Sequence, residues 1–137
     1  MKVIERECFC LGLKRAARSV ARRYDEAFSR LDLSNGQFSM LATIAGLQPV
    51  GMVALGERLG MDRTTVTAAL KPLLRRGLVD VGVSKSDPRG RDASLTRSGS
   101  TLLEKAIPIW ETLQGEIASA VELSDVDRLR EDLIALR

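Results

Sequence analysis

Histidine is missing from all 137 residues. Its absence excludes a Ser-His-Asp triad, a histidine general base and any histidine-bearing zinc site. Cysteine is scarce, and Cys8 and Cys10 alone cannot close a four-ligand zinc site. The first ten residues alternate charge with apolar side chains and contain no export-type apolar region, so two cysteines do not imply a disulfide scaffold. A Gly-rich phosphate loop and an obvious carboxylate pair are lacking too, which makes an enzyme the weakest class. No cofactor and no metal are expected. Long apolar runs are also few. Leu33 to Gly56 is free of ionised side chains for 24 residues, but Asn35, Gly36, Gln37, Gln48, Pro49 and Gly51 interrupt it. It therefore reads as a buried helix plus a turn and not as a membrane span. The expected location is the cytoplasm.

What is present is ordinary for one globular domain: 45% hydrophobic and 28% charged residues. The net charge of +3 is small, yet unevenly placed. Residues 1–60 carry nine Lys/Arg against six Asp/Glu, residues 61–97 eight against four, and residues 98–137 four against eight. A basic middle precedes an acidic end, the footprint expected if the middle meets phosphates.

Periodicity orders the elements. Apolar residues at 9, 13, 16, 17, 20, 24, 27, 28 and 31 describe one face of a helix from Cys8 to Leu31. Ser34 and Gln37 form a capping-box pair that opens a second helix, which ends near Leu47, before Pro49. Val53 to Leu59 is a short helix stopped by Gly60. Asp62 caps the next, Arg63 to about Arg76, which ends at Gly77 and contains Pro72. Two helices joined by a short Gly-bearing turn make a helix-turn-helix. Leu78 to Val83 and Asp92 to Leu95 read as strands around a loop at 84–91. Thr96 caps a long helix to about Val121, weakened at Gly99 and Pro108, and Ser124 with Asp127 opens a last one. The expected fold is mainly α with a small β-hairpin wing, that is, a winged helix-turn-helix bracketed by helices. It forms a single domain over 1–137.

Reading base edges in the major groove requires short polar or basic side chains in the first turns of a helix. MDRTTVTAALK, residues 61–71, offers Arg63, Thr64, Thr65 and Thr67 there, with Lys71 one turn on. Val66, Leu70, Leu73 and Leu74 are expected to face the core. Threonine is a poor helix former, so three in two turns need a reason. Hydroxyl bonding beside a capping Asp62 is one, and DNA contact is the other. SKSDPRGRDASLT, residues 84–96, is either a solvated tip or a basic wing whose arginines enter a narrow minor groove. Beside a helix-turn-helix, the wing reading prevails. Arg89 and Arg91 are its candidates, with Asp87 placed to hold an arginine and Pro88 and Gly90 shaping the turn.

The stretch LGERLGMDRTTVTAALKPLLRRGLVDVGVSKSDPRGRDASLTRSG resembles the DNA-binding core of the MarR-type (multiple antibiotic resistance) regulators. Its most specific part is the D-x-R wing followed by L-T-x-x-G, here Asp87, Arg89, Leu95, Thr96 and Gly99. The resemblance implies homodimers, usually repressors, on pseudo-palindromic double-stranded DNA. In it, residues 1–32 and 97–137 form the dimerisation region and 33–96 the DNA-binding lobe. Arg89 matches the arginine that enters the minor groove, assisted by Arg91. The resemblance also implies a small aromatic effector bound between the lobe and the dimer helices. Stripes at Leu102, Leu103, Ile107, Trp110, Leu113, Ile117 and Val121, and at Leu129, Leu133 and Leu136, fit a partner chain or an intrachain core.

Within that family, an organic-hydroperoxide-sensing branch has a reactive cysteine near the start of the first helix. Cys10 falls on that position and Tyr24 on one of two supporting tyrosines, while Asn35 occupies the other. Arg6 and Lys14, one turn either side of Cys10, favour a reactive thiol, whereas a plain buried cysteine is the alternative. In one continuous helix Cys8 and Cys10 point about 200° apart, which disfavours a disulfide between them. Three readings follow: a DNA-binding repressor released by an effector, a thiol sensor of the same family, or a winged-helix module whose basic surface binds an acidic protein.

Overall fold

The computed structural model describes residues 2–121 and 125–136. Short helix α1 (Lys2–Glu7) leads into α2 (Phe9–Phe28), a single 3-10 turn at Ser29–Leu31, and α3 (Asn35–Leu47). Strand β1 (Val50–Gly51), α4 (Met52–Leu59) and α5 (Arg63–Arg75) follow. Next come β2 (Val79–Val83), β3 (Arg91–Leu95), α6 (Arg97–Ala120) and α7 (Val126–Ala135).

The caps sit where the sequence places them because each is a local bond. Ser34 Oγ accepts from the Gln37 N–H while Gln37 Oε1 accepts from the Ser34 N–H, at 3.2 and 3.0 Å. Asp62 Oδ1 accepts from the Thr65 N–H at 2.7 Å, and Thr96 Oγ1 from the Gly99 N–H at 3.0 Å. Gly60 and Gly77 both take φ of +64°, the left-handed stop. For the last helix the cap is Asp125, which accepts from the Arg128 N–H; Ser124 lies outside the described residues.

Three expectations need correction, and one open alternative is narrowed. The first helix is not continuous: Cys8 is extended, with ψ of 105°, and divides α1 from α2. The 200° divergence of a continuous helix therefore does not govern Cys8 and Cys10. The wing is not a bare hairpin, since Val50 and Gly51 pair with Ala93 and Asp92 to make a three-stranded antiparallel sheet of order β1-β3-β2. Two residues are too few for periodicity to reveal. Leu74 does not enter the core and is 40% exposed, because steps of about 100° bring it round to the face of Arg63 and Thr67. The α6 stripe is chiefly intrachain: Leu103 and Leu113 are buried, Leu102, Trp110 and Ile117 pack on the core, and Ile107 remains exposed.

The core joins α2, α3, α5, the sheet and α6 through Phe28, Leu41, Ile44, Val66, Leu73, Val79, Ala93 and Ala106, all at 1% exposure or less. An aromatic ladder threads it, with Tyr24, Phe28, Phe38 and Trp110 stacked at centroid distances of 5.9, 4.7 and 6.4 Å. Burial is thin at both ends of the chain. Val3, Ile4, Phe9, Leu11 and Leu13 near the start are exposed, and so are Leu133, Ile134 and Leu136 on α7, which buries no residue.

Candidate nucleic-acid interface

Helix α5 is held by its apolar side. Val66, Leu70 and Leu73 are buried, so the remaining surface is turned outward. At about 100° per residue, Arg63, Thr64, Thr67 and Lys71 span one exposed face roughly 100° wide. Thr65 lies about 100° further round, where its backbone N–H serves the Asp62 cap. Thr67 uses its hydroxyl proton on the Arg63 carbonyl at 2.9 Å, leaving its oxygen lone pairs outward. Local hydroxyl bonding thus accounts for part of the threonine-rich turn.

The Asp62 carboxyl is held below the usual carboxylate range, first by the Thr65 backbone N–H and then by the Thr65 hydroxyl. A depressed value means the cap stabilises fully above the unfolded-state carboxylate range and is lost as pH falls through the lower folded value. Asp62→Asn keeps a cap but removes this dependence. In a thermal melt series its melting temperature should fall less than that of the wild type between pH 5 and about pH 2. Equal slopes would show that Asp62 is not a linked group.

The wing is built from β2 and β3 in the register Val79↔Leu95 to Val83↔Arg91. Its loop is stitched internally. The Ser84 N–H donates to the Gly90 carbonyl at 3.1 Å, and the Gly90 N–H to the Asp87 carbonyl at 2.8 Å, closing a β-turn with Pro88 at its second position. Asp87 Oδ1 accepts from the Arg89 backbone N–H at 2.9 Å. Asp87 holds Arg89 through its backbone N–H, from within the same loop. Among the described residues, Arg63, Lys71, Arg89 and Arg91 form no ion pair within 4.0 Å. Arg63, Arg89 and Arg91 line one cleft of about 460 Å³ between the start of α5 and the wing, together with Pro49, Gly51, Asp87 and Asp92. Three unpaired guanidinium groups on one concave face can clamp a polyanion.

A family model described as MarR family matches residues 33–90. A crystal structure of the M. tuberculosis transcriptional regulator MosR in complex with DNA is 38% identical, with a TM-score of 0.85 over 95% of this chain and 93% of that one. The chain belongs to the MarR family. The transcriptional repressor CouR, bound to a 23-mer DNA duplex, is 25% identical with a TM-score of 0.86, covering 99% of this chain and 97% of its own. The organic hydroperoxide resistance transcriptional regulator of Bacillus subtilis (strain 168) is 29% identical over 99% of this chain and 90% of its own.

The L-T-x-x-G signature of this MarR-family chain proves to be a joint in the fold. Thr96 Oγ1 donates to the Gly77 carbonyl at 2.7 Å and its N–H to the Leu78 carbonyl at 3.1 Å. The start of α6 is thereby bolted to the exit of α5. Cys10 and Tyr24, by contrast, are not brought together within the chain. They lie 14 residues apart on α2, about 21 Å along its axis. Cys10 is exposed in the first helical turn. Tyr24 is buried and donates to Gln114 Oε1 at 2.9 Å; burial pushes its phenol up, while neighbouring Arg23 pulls it down. Arg6 faces its neighbour Glu7 at 3.8 Å, both at the end of α1 before the break at Cys8. No helix among the described residues is long and apolar enough to cross a membrane.

Proposed function

We propose that this MarR-family chain is a homodimeric transcriptional regulator that represses by binding a pseudo-palindromic operator in duplex DNA. The observation that carries the reading is the cleft that gathers Arg63, Arg89 and Arg91, none of which forms an ion pair among the described residues, although Asp87 and Asp92 also line it. Arg63, Thr64, Thr67 and Lys71 face the major groove, and Arg89 with Arg91 the flanking minor groove. Thr65 serves the cap beneath them. The DNA complexes of MosR and CouR support the reading from outside the chain. The exposed apolar ends, from Val3 to Leu13 and on α7, supply the surface a second copy would cover. Two copies set their recognition helices about one DNA turn apart, roughly 34–36 Å.

The test is fluorescence anisotropy of the reduced protein on DNA upstream of its own gene, beside a scrambled duplex at near-physiological salt. Preference by about a thousandfold or more supports a sequence-reading regulator. If equal, salt-labile binding persists on duplexes drawn from the whole genome, the surface serves an acidic protein partner instead.

A thiol-sensing role is the second reading, favoured by the exposure of Cys10 at the start of α2 and by the name of the B. subtilis relative. A hydroperoxide would oxidise the Cys10 thiol to a sulfenic acid and leave as the alcohol. Cumene hydroperoxide should then release the wild type from DNA but not Cys10→Ser. Release of both would remove Cys10 from the mechanism.

A further inference from the structure

Arg76 caps the C-terminal end of the recognition helix. Its backbone is immobilised by a Schellman-type stop. The Leu78 N–H donates to the Leu73 carbonyl at 3.0 Å, and the Gly77 N–H to the Leu74 carbonyl at 3.0 Å. From that fixed base the guanidinium reaches across 44 residues of sequence. Nη1 donates to the Asp32 carbonyl at 2.5 Å and Nη2 to the Leu31 carbonyl at 3.5 Å. The Asp32 carboxylate, 4.0 Å away and 99% exposed, adds little.

The receiving corner is as stiff as the donor. Asp32 is left-handed, with φ of 49°. Asp25 Oδ1 accepts from the Asn35 N–H at 2.6 Å, and the Ser34–Gln37 capping box closes the start of α3 two residues beyond Asp32. A bridge between two rigid segments transmits position; a bridge to a loose loop would not. Arg76 also stands at the end of α5 away from the wing cleft, about 20 Å from Arg63 by helix rise.

We propose that Arg76 is a positioning residue for DNA binding: it latches the C-terminal end of the recognition helix to the corner between α2 and α3. The angle at which α5 meets the groove is thereby fixed relative to α2, and hence to the second copy. The proposal rests on the homodimeric DNA-binding reading. In a dimer, a slack recognition helix tolerates half-sites at the wrong separation, so the latch sets spacing selectivity and not merely affinity.

The experiment uses an operator recovered with the wild-type protein from a random duplex pool, together with versions carrying one base pair more or fewer between half-sites. Wild type, Arg76→Ala and Arg76→Lys are compared by anisotropy across a salt series, with far-UV circular dichroism and sedimentation confirming folded dimers. Arg76→Ala is expected to lose about tenfold on the best spacing. Its preference for that spacing should shrink, while the salt slope stays unchanged because no phosphate contact is removed. Arg76→Lys keeps the charge but cannot fork to two carbonyls, and should show the same relaxed spacing in a milder form. It decides the matter if the alanine variant fails to fold.

Unaltered spacing preference overturns the proposal. So does a salt slope shallower by about one, which would make Arg76 a phosphate contact. A wild type that is itself blind to spacing overturns the dimeric reading and the proposal with it.

Discussion

Arg89→Ala should fold as the wild type does and yet bind its operator about ten- to a hundredfold more weakly. The side chain is exposed at the wing tip and forms no ion pair among the described residues, so its removal leaves nothing buried unpaired. The turn survives because Asp87 grips the Arg89 backbone N–H, which alanine also has. What is lost is one cation in a groove of strong negative potential. The plot of log affinity against log salt should therefore become shallower by up to about one. Arg89→Lys should recover the slope but only part of the affinity, since a lysine cannot insert a planar fork. Full affinity in the alanine variant would remove the wing from the interface. By comparison, Arg63→Ala should relax base preference at one position of each half-site if the proposed major-groove placement of Arg63 holds.

The second large effect is on stability. A Cβ at Gly99 would lie 2.0 Å from the Leu78 carbonyl oxygen and 3.0 Å from its carbon. Both are backbone, and that carbonyl already accepts from the Thr96 N–H, so neither side can yield without breaking the joint. Gly99→Ala should cost on the order of 3 kcal/mol, against a total of about 5–15 for a domain of this kind. Gly115→Ala is the matched control in the same helix, where nothing lies within 4 Å of the added methyl. Relieved of glycine's backbone entropy, it should be neutral or gain up to about 1 kcal/mol. Urea titrations of the two variants with a common slope measure both. A Gly99→Ala midpoint near the wild type's would show that α6 can slide off Leu78 cheaply.

These two sites show how differently sequence speaks about fold and about function. Ser34, Asp62 and Thr96 were legible as caps because each bond closes within three residues. The outward face of α5 was legible because Val66, Leu70 and Leu73 fix its inward one. Features that depend on partners far along the chain were not. β1 exists only because β3 passes beside Val50, 43 residues later. The α6 stripe could not be divided between core and partner by periodicity, which marks apolar faces without naming what covers them. That Asp87 holds an arginine was legible, but not the atoms it uses: the bond is carboxylate to the Arg89 backbone N–H, a common device in a tight turn. Arg76 gave no local signal at all, since carbonyls such as those of Leu31 and Asp32 are invisible in a side-chain code.

The aromatic ladder has a practical consequence. Trp110 is the sole tryptophan, stacked 6.4 Å from Phe38 where α3 crosses α6. All indole emission from the protein therefore originates where α3 meets α6, and none from the cleft lined by Arg63, Arg89 and Arg91. A spectral shift on adding duplex would report a displacement relayed through the core rather than a chromophore touched by nucleic acid. The chain thus carries a label-free optical probe at the point where its two halves meet.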